Sequence, residues 1–176
     1  MRPLLSIDYL LRGSRAQRRA HAVLKRYRVL AALRDFDPLL AGTVPLDVQI
    51  ESSDLDILCR VRAPDRFLSC FERHFSRADG FRLREVRIDG LVTYIANFTL
   101  GGWPLEIFGQ NRAPRRQTAY RHLRVERRLL RAHGAWLRRR VVHLKRRGLK
   151  TEPAFARALR LKGDPYKMLL RRAYTV

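Results

Sequence analysis

The chain has 176 residues, and its 38 lysines and arginines against 16 aspartates and glutamates give a net charge of +22. A hydrophobic content of 46% excludes a disordered chain and is enough for the core of a folded domain. No apolar run approaches the roughly 18 residues that a membrane span needs. The charge predicts either a polyanionic partner, bound in a salt-sensitive way, or a solvated exterior biased toward arginine.

The apolar pattern of the first half predicts helix, strand, helix and then a β-meander. Ser14 and Gln17 match the S-x-x-Q capping box, with apolar residues at helical spacing behind them. After Gly80 the apolar period changes to two, and Asp89-Gly90 is a strong hairpin turn. The predicted elements are a helix over 14–34, a strand over about 54–61, a helix from Pro64, and strands over 81–88, 92–100 and 103–108.

Beyond Pro114 the sequence predicts helices only. Two helical segments, near 116–132 and 135–147, are separated by Gly134. Thr151 is predicted to cap a third helix, with Pro153 in its first turn, and Asp164-Pro165 to open a fourth. The sequence has no internal repeat. It predicts one α+β domain over 1–176: a mixed sheet with flanking helices in a core of about 14–112, then a helical part of about 113–176.

Two cysteines, Cys59 and Cys70, lack the spacing of metal ligands. Two buried thiols in a reducing compartment are therefore expected instead of a disulfide. The apolar part of Met1–Asp8 is too short, and interrupted too soon by charge, for a signal peptide. Both observations predict a cytoplasmic protein.

Three acidic residues predict a metal site. Asp54 and Asp56 alternate with apolar residues, so in a strand their side chains point to the same face. Glu106 is flanked by Leu105 and Ile107 in the last meander strand, and it joins the two aspartates if the strands are neighbours. Oxygen ligands of this kind suit Mg²⁺, or Mn²⁺, bound together with substrate phosphates. Equally, an acid at a strand end is often simply solvated.

A Gly-Thr turn lies upstream of the acids. Gly42 would let the backbone approach phosphate groups closely. Thr43 and Ser53 would supply hydroxyl and N–H donors to the same phosphates. The segment therefore predicts a nucleotide-binding turn.

The pattern of Ala41-Gly42-Thr43, Asp54-Leu-Asp56-Ile and Leu105-Glu106-Ile107 resembles the nucleotidyltransferase superfamily that contains polymerase beta. More closely, the chain resembles the bacterial family called domain of unknown function 4269, through phrases at 42–45, 51–57, 106–110, 117–122, 148–155 and 163–166. The resemblance implies a nucleotidyltransferase-like fold, with Asp54, Asp56 and Glu106 as catalytic and metal-binding residues and a nucleoside triphosphate as substrate. The residues after Thr43, Val44-Pro45-Leu46, depart from the superfamily's small-residue–Arg-Gly segment, which contacts phosphates.

Other polar residues have two interpretations each. Arg121 and Lys150 would neutralise phosphate charge, and the family resemblance ranks them above the remaining basic residues. His122 and Glu126 share a helix face, either as a surface pair or as a general base and substrate contact. Gln110, with Asn111 after it, would line the site or cap a loop.

Two functions follow from these residues. The first is transfer of a nucleotide from a triphosphate to an unidentified hydroxyl acceptor, with Asp54, Asp56, Glu106 and Mg²⁺. The second is a non-catalytic nucleotide- or RNA-binding protein that uses a basic helical surface. The phosphate contacts expected on that surface are Arg121, Arg127, Arg128, Arg138, Arg139, Arg140, Arg146 and Arg147.

Overall fold

The computed structural model of the protein describes residues 6–172. The signal-peptide prediction rests partly on residues 1–5, which lie outside the described residues. The chain forms two compact units: unit 1 contains the described residues up to Ala41 together with Asp54–Gln117, and unit 2 contains Gly42–Ser53 together with the residues from Thr118 onward. Within 6–172, no helix has the length and apolarity to cross a membrane.

Unit 1 is built on one five-stranded mixed sheet. The strand order is β1-β2-β5-β4-β3, with β2 and β5 parallel and the other neighbours antiparallel. This arrangement confirms the predicted α+β class with a mixed sheet and a meander. The strands are β1 (Leu39–Ala41), β2 (Leu55–Arg60), β3 (Asp79–Ile88), β4 (Leu91–Leu100) and β5 (Trp103–Gln110).

The first predicted helix is divided in the structure. Helix α1 (Arg15–Arg26) begins with the predicted Ser14–Gln17 capping box, but a single turn, α2 (Val29–Ala32), takes the rest of the apolar pattern. Arg28, between them, has a φ of 51°, a left-handed conformation that ends the first helix. The uninterrupted helix over 14–34 was therefore wrong, because helical periodicity continues across a break that no glycine or proline marks.

Helix α3 (Pro64–His74) covers the apolar face of the sheet. Its Phe67 and Phe71 are fully buried, with ring centroids 4.8 Å apart in an edge-to-face arrangement. Phe71 also meets Phe98 of β4, with centroids 6.5 Å apart. Aromatic pairs of this geometry add stabilisation to the burial of their area. This face therefore belongs to the hydrophobic core of unit 1.

Unit 2 is helical apart from Gly42–Ser53. Helix α4 (Thr118–Arg146) is interrupted at Gly134, whose φ of 62° confirms the predicted division. It is followed by α5 (Thr151–Ala158) and α6 (Pro165–Arg172). The residue that caps α5 is Lys150, so the prediction of Thr151 as the cap was wrong by one position. The Asp164 carboxylate accepts a hydrogen bond from the N–H of Lys167, at 2.9 Å, as expected at the start of α6.

Gly109 provides a test of the core. A Cβ there would lie 2.7 Å from Cγ2 of Val61 and 2.8 Å from Cζ of Phe67. We expect Gly109→Ala to lower the free energy of unfolding by about 1–3 kcal/mol, measured in urea, because the core is overpacked. Phe67→Leu makes room, so the double variant should lose less than the sum of the single losses. Full additivity would contradict this account of the contact.

Candidate functional site

The parallel pairing of β2 with β5 places two acidic side chains beside each other. Asp56 and Glu106 are register partners, so they project from the same face of the sheet, and both are partly exposed. The neighbouring partners Leu55 and Leu105 are buried on the opposite face. The alternation thus places the two acids on one face of the sheet and the two leucines on the other.

Asn97 extends this pair across the next strand. It is the β4 register partner of Glu106, and its Nδ2 donates a hydrogen bond to Oε2 of Glu106 at 3.2 Å. We call Asp56, Glu106 and Asn97 the acid row. The sequence analysis missed Asn97, although an amide between Ala96 and Phe98 in an apolar strand is a signal that could have marked it. The hydrogen bond fixes the orientation of the Glu106 carboxylate.

Asp54 lies directly before β2, where the chain enters unit 1, and is partly exposed. On the other side of β2, Ala41 of β1 is the antiparallel partner of Asp56. The chain therefore leaves unit 1 directly after Ala41, and it returns to unit 1 at Asp54.

Gly42 and Thr43 form a tight turn at the start of unit 2. Gly42 has a φ of 66°, a conformation that strains every residue with a Cβ. The carbonyl oxygen of Thr43 accepts hydrogen bonds from the N–H groups of Leu46, at 3.1 Å, and Val48, at 3.2 Å. Among the described residues, the buried hydroxyl of Thr43 has no hydrogen-bond partner. An unpartnered buried hydroxyl is a donor available to a ligand.

Ser53 closes the other end of this segment. Its Oγ accepts a hydrogen bond from the N–H of Ile50 at 2.9 Å, and its own N–H donates to the Ile50 carbonyl at 3.0 Å. The Ser53 N–H, which the sequence analysis offered to phosphate, is thus engaged in a turn of its own chain.

Basic residues of α4 hold the segment 42–53 through its backbone carbonyls. Arg138 donates to the carbonyls of Leu46 and Asp47, and the buried Lys145 donates to that of Val48 at 3.0 Å. Arg146 forms an ion pair of 2.8 Å with Glu51. Arg138 and Arg146 were predicted as RNA contacts, and the structure instead shows both bonded within unit 2. Part of the excess positive charge therefore serves the fold.

Arg121 and Lys150, the predicted phosphate contacts of the helical part, are both exposed. Arg121 lies in the first turn of α4, and Lys150 directly precedes α5. Both side chains are therefore accessible to a ligand of unit 2.

His122 and Glu126 are buried, so the prediction of a surface pair was wrong. Each is 4% exposed, and Glu152 of α5 joins them, with one ligand atom from each residue within 4.8 Å of the others. We call these three residues the His122 cluster. Sequence spacing gives a shared helix face but not what packs against it, and Glu152 lies far along the chain.

Burial changes the ionisation of the His122 cluster. It raises the pKa of Glu126 to about 8, and the Glu152 charge acts in the same direction while Lys145 opposes it. Burial also lowers the pKa of His122, with Arg121 acting in the same direction and Glu152 against it. The cluster thus disfavours charge on both buried members.

A family comparison covers most of the chain. The model of the family described as Domain of unknown function (DUF4269) matches residues 22–172. The chain belongs to this family. No curated protein sequence matches the DUF4269 chain.

Solved structures show that the DUF4269 chain has the nucleotidyltransferase-like fold. The Cid1 poly(U) polymerase with MgGTP matches with a TM-score of 0.51 and 15% identity, over 72% of this chain and 40% of that one. The polymerase core of TRAMP, an RNA surveillance complex, matches with a TM-score of 0.52 and 15% identity, over 90% of this chain and 57% of that one. The GLD-2/RNP-8 complex matches with a TM-score of 0.55 and 15% identity, over 96% of this chain and 69% of that one. The chain thus spans well under half the length of the Cid1 chain.

Gln110 and Gln117 of the DUF4269 chain stabilise the sheet. Nε2 of Gln110 donates to the buried Oγ1 of Thr93 across the β5–β4 pair, at 2.8 Å. Nε2 of Gln117 donates to the carbonyl of Cys59 at 2.9 Å, which ties the chain leaving unit 1 to β2. Asn111 is exposed. The two glutamines therefore act as buried structural donors.

The cysteines of the DUF4269 chain are unpaired and unequally buried. Cys59 is buried, as predicted, but Cys70 is only partly so, and its Sγ contacts the carbonyl of Ala32 at 3.4 Å. Burial raises the pKa of both thiols. Neither is therefore a reactive thiolate.

A pH titration tests the buried carboxyl. The folded-state pKa of Glu126, about 8, lies above its ordinary value of 4.5, so its contribution to stability is present below pH 4.5 and lost as the pH rises toward 8. In urea unfolding with EDTA, the wild type should lose about 2–3 kcal/mol more than Glu126→Gln between pH 5.5 and 8. His122, Glu152 and Lys145 remain in both proteins. Equal losses would show that Glu126 is not protonated in the folded protein.

Proposed function

We propose that the protein is a Mg²⁺-dependent nucleotidyltransferase. It would transfer a nucleoside monophosphate from a nucleoside triphosphate to a hydroxyl acceptor, with release of pyrophosphate and of the hydroxyl proton. One observation carries the proposal: in a nucleotidyltransferase-like fold, Asp56 and Glu106 are register partners that project from the same face of the sheet, and both are partly exposed. Two adjacent carboxylates offer oxygen ligands to one divalent cation.

The donor set fits a hard divalent cation. Asp54, Asp56 and Glu106 offer only oxygen atoms, and in the acid row Asn97 adds a hydrogen bond that fixes one of them. Asp56 and Glu106 would hold Mg²⁺ or Mn²⁺, and Asp54, which lies directly before β2, is proposed to join them when the ion binds. When bound, the ion supplies positive charge against the triphosphate and the developing charge of the displacement. Asn97 acts as a positioning residue, keeping Glu106 in one orientation as the site fills.

The phosphate contacts in this proposal are the residues expected from the sequence. Gly42 removes the Cβ that would keep phosphate from the backbone, and the unpartnered hydroxyl of Thr43 is a ready donor. Ser53 contributes by fixing its turn. Arg121 and Lys150 are exposed and would offset phosphate charge.

The acceptor follows less directly from the residues. The similar structures are named for polymerases that act on RNA, which makes an RNA hydroxyl the first acceptor to screen. We also propose a cytoplasmic setting, since unpaired Cys59 and Cys70 suit a reducing compartment.

Nucleotide binding tests the acid row. The melting temperature of the wild-type protein should rise by about 2–4 °C when ATP, GTP, CTP or UTP is present at about a hundred times its Kd. This rise should require Mg²⁺. Asp56→Asn and Glu106→Gln should abolish the shift because they remove metal ligands. Without nucleotide, both variants should remain folded, since each removes one charge from a repulsive pair.

The matched control is Asp79→Asn, an identical charge change at an exposed position of β3. It should keep the wild-type shift. A nucleotide shift in the wild type that survives Asp56→Asn and Glu106→Gln would remove the acid row from the site and reject the proposal.

A second function, RNA binding without catalysis, is favoured by exposed arginines in α4 and directly after it. Arg139, Arg140 and Arg147 are exposed, whereas Arg138 and Arg146 are bonded to the segment 42–53. Exposed guanidinium groups bind phosphate by releasing counterions.

RNA binding is separable from catalysis by salt. If this surface binds single-stranded RNA, a plot of the logarithm of affinity against the logarithm of salt concentration should have a slope of about −0.7 per phosphate contact. Arg139→Ala should make that slope shallower by about one contact. Asp56→Asn and Mg²⁺ removal should leave this affinity unchanged. Fluorescence anisotropy measures it, and affinity that is independent of salt would reject the function.

A further inference from the structure

The His122 cluster lies outside the acid row and plays no part in the proposed reaction. His122 and Glu126 are one helical turn apart on α4, and Glu152 is in the first turn of α5. All three belong to unit 2. Their ligand atoms come within 4.8 Å of one another, although they lie on two separate helices.

The buried polar atoms of this cluster lack partners. Both ring nitrogens of His122 and Oε1 of Glu126 are without hydrogen bonds among the described residues. Buried polar atoms are almost always paired, and each unpaired one costs about 1–3 kcal/mol. One ion bound by a ring nitrogen of His122 and by Glu126 would give a partner to two of these three atoms.

We propose that His122, Glu126 and Glu152 bind a divalent transition-metal ion of the Zn²⁺ class. One imidazole nitrogen and two carboxylates form a mixed nitrogen and oxygen donor set. This set suits Zn²⁺ better than Mg²⁺, which prefers oxygen ligands only. The charges of the two carboxylates and the ion cancel. Metal–ligand bonds of about 2.0–2.2 Å would draw the three atoms closer than they now lie.

The ligands come from two helices and pack beside a third. The Tyr166 ring of α6 lies edge-on to His122, with centroids 6.0 Å apart. The ion would fasten α4 to α5, and because the chain supplies three ligands, a water molecule would complete a four-coordinate ion. Such an ion stabilises the folded chain by its binding free energy.

Zinc binding by untagged, EDTA-treated protein tests the site. Titration against a chromophoric zinc chelator should find one tight site per chain in the wild type. The Glu152 side chain is partly exposed, so Glu152→Gln should fold. This variant is expected to weaken zinc affinity by at least about 100-fold, since even the loss of a residue that only contacts a ligand costs about 10–100-fold. Zn²⁺ should raise the melting temperature of the wild type but not of this variant.

Two controls separate this site from other carboxylates. Glu51→Gln makes the same change at an exposed position of unit 2, and Glu106→Gln removes a ligand of the acid row. Both should keep the tight zinc site.

A measurement without variants guards against misfolding. Wild-type protein loaded with Co²⁺ should show the visible bands of four-coordinate Co²⁺, and one equivalent of Zn²⁺ should remove them. The proposal is overturned by a wild type without a tight site, by Co²⁺ that shows no such bands, or by Glu152→Gln that keeps zinc affinity.

Discussion

The parallel pairing of β2 with β5 is the constraint on which the arrangement of unit 1 depends. In this register, Leu55 meets Leu105 and Asp56 meets Glu106. A shift of one residue would turn the acids into the core and the leucines toward solvent. The phenylalanines of α3 hold the register from the apolar side, and the Asn97 hydrogen bond orients Glu106 on the polar side.

The same pairing has an electrostatic cost. Adjacent strands are about 5 Å apart, and two unit charges at that distance repel by about 1–3 kcal/mol near a protein surface. The Asn97 donor offsets part of this for Glu106. A divalent cation bound as proposed would offset this repulsion further.

Several features of the fold were readable from the sequence because their causes are local. The meander follows from the period of two and from Asp89-Gly90, and the interruption of α4 follows from Gly134. The break at Arg28 was not readable, since an arginine with positive φ has no sequence signature. Contacts between distant segments were equally hidden, including the Asn97–Glu106 hydrogen bond and the inward face of His122.

The charge of +22 was the most ambiguous signal, and the structure divides it. Arg138 and Lys145 bind backbone carbonyls of the segment 42–53, and Arg146 binds Glu51, so these charges stabilise that segment. A composition count cannot separate such residues from Arg139 or Arg140, which remain exposed. Only the three-dimensional contacts make that distinction.

The most direct test of the central claim is anomalous diffraction from crystals grown with Mn²⁺ and a non-hydrolysable nucleoside triphosphate. The account predicts an anomalous peak within coordination distance of the carboxylates of Asp56 and Glu106, with the triphosphate bound to the same ion. A triphosphate bound with Mn²⁺ elsewhere, and no peak at these two carboxylates, would contradict it.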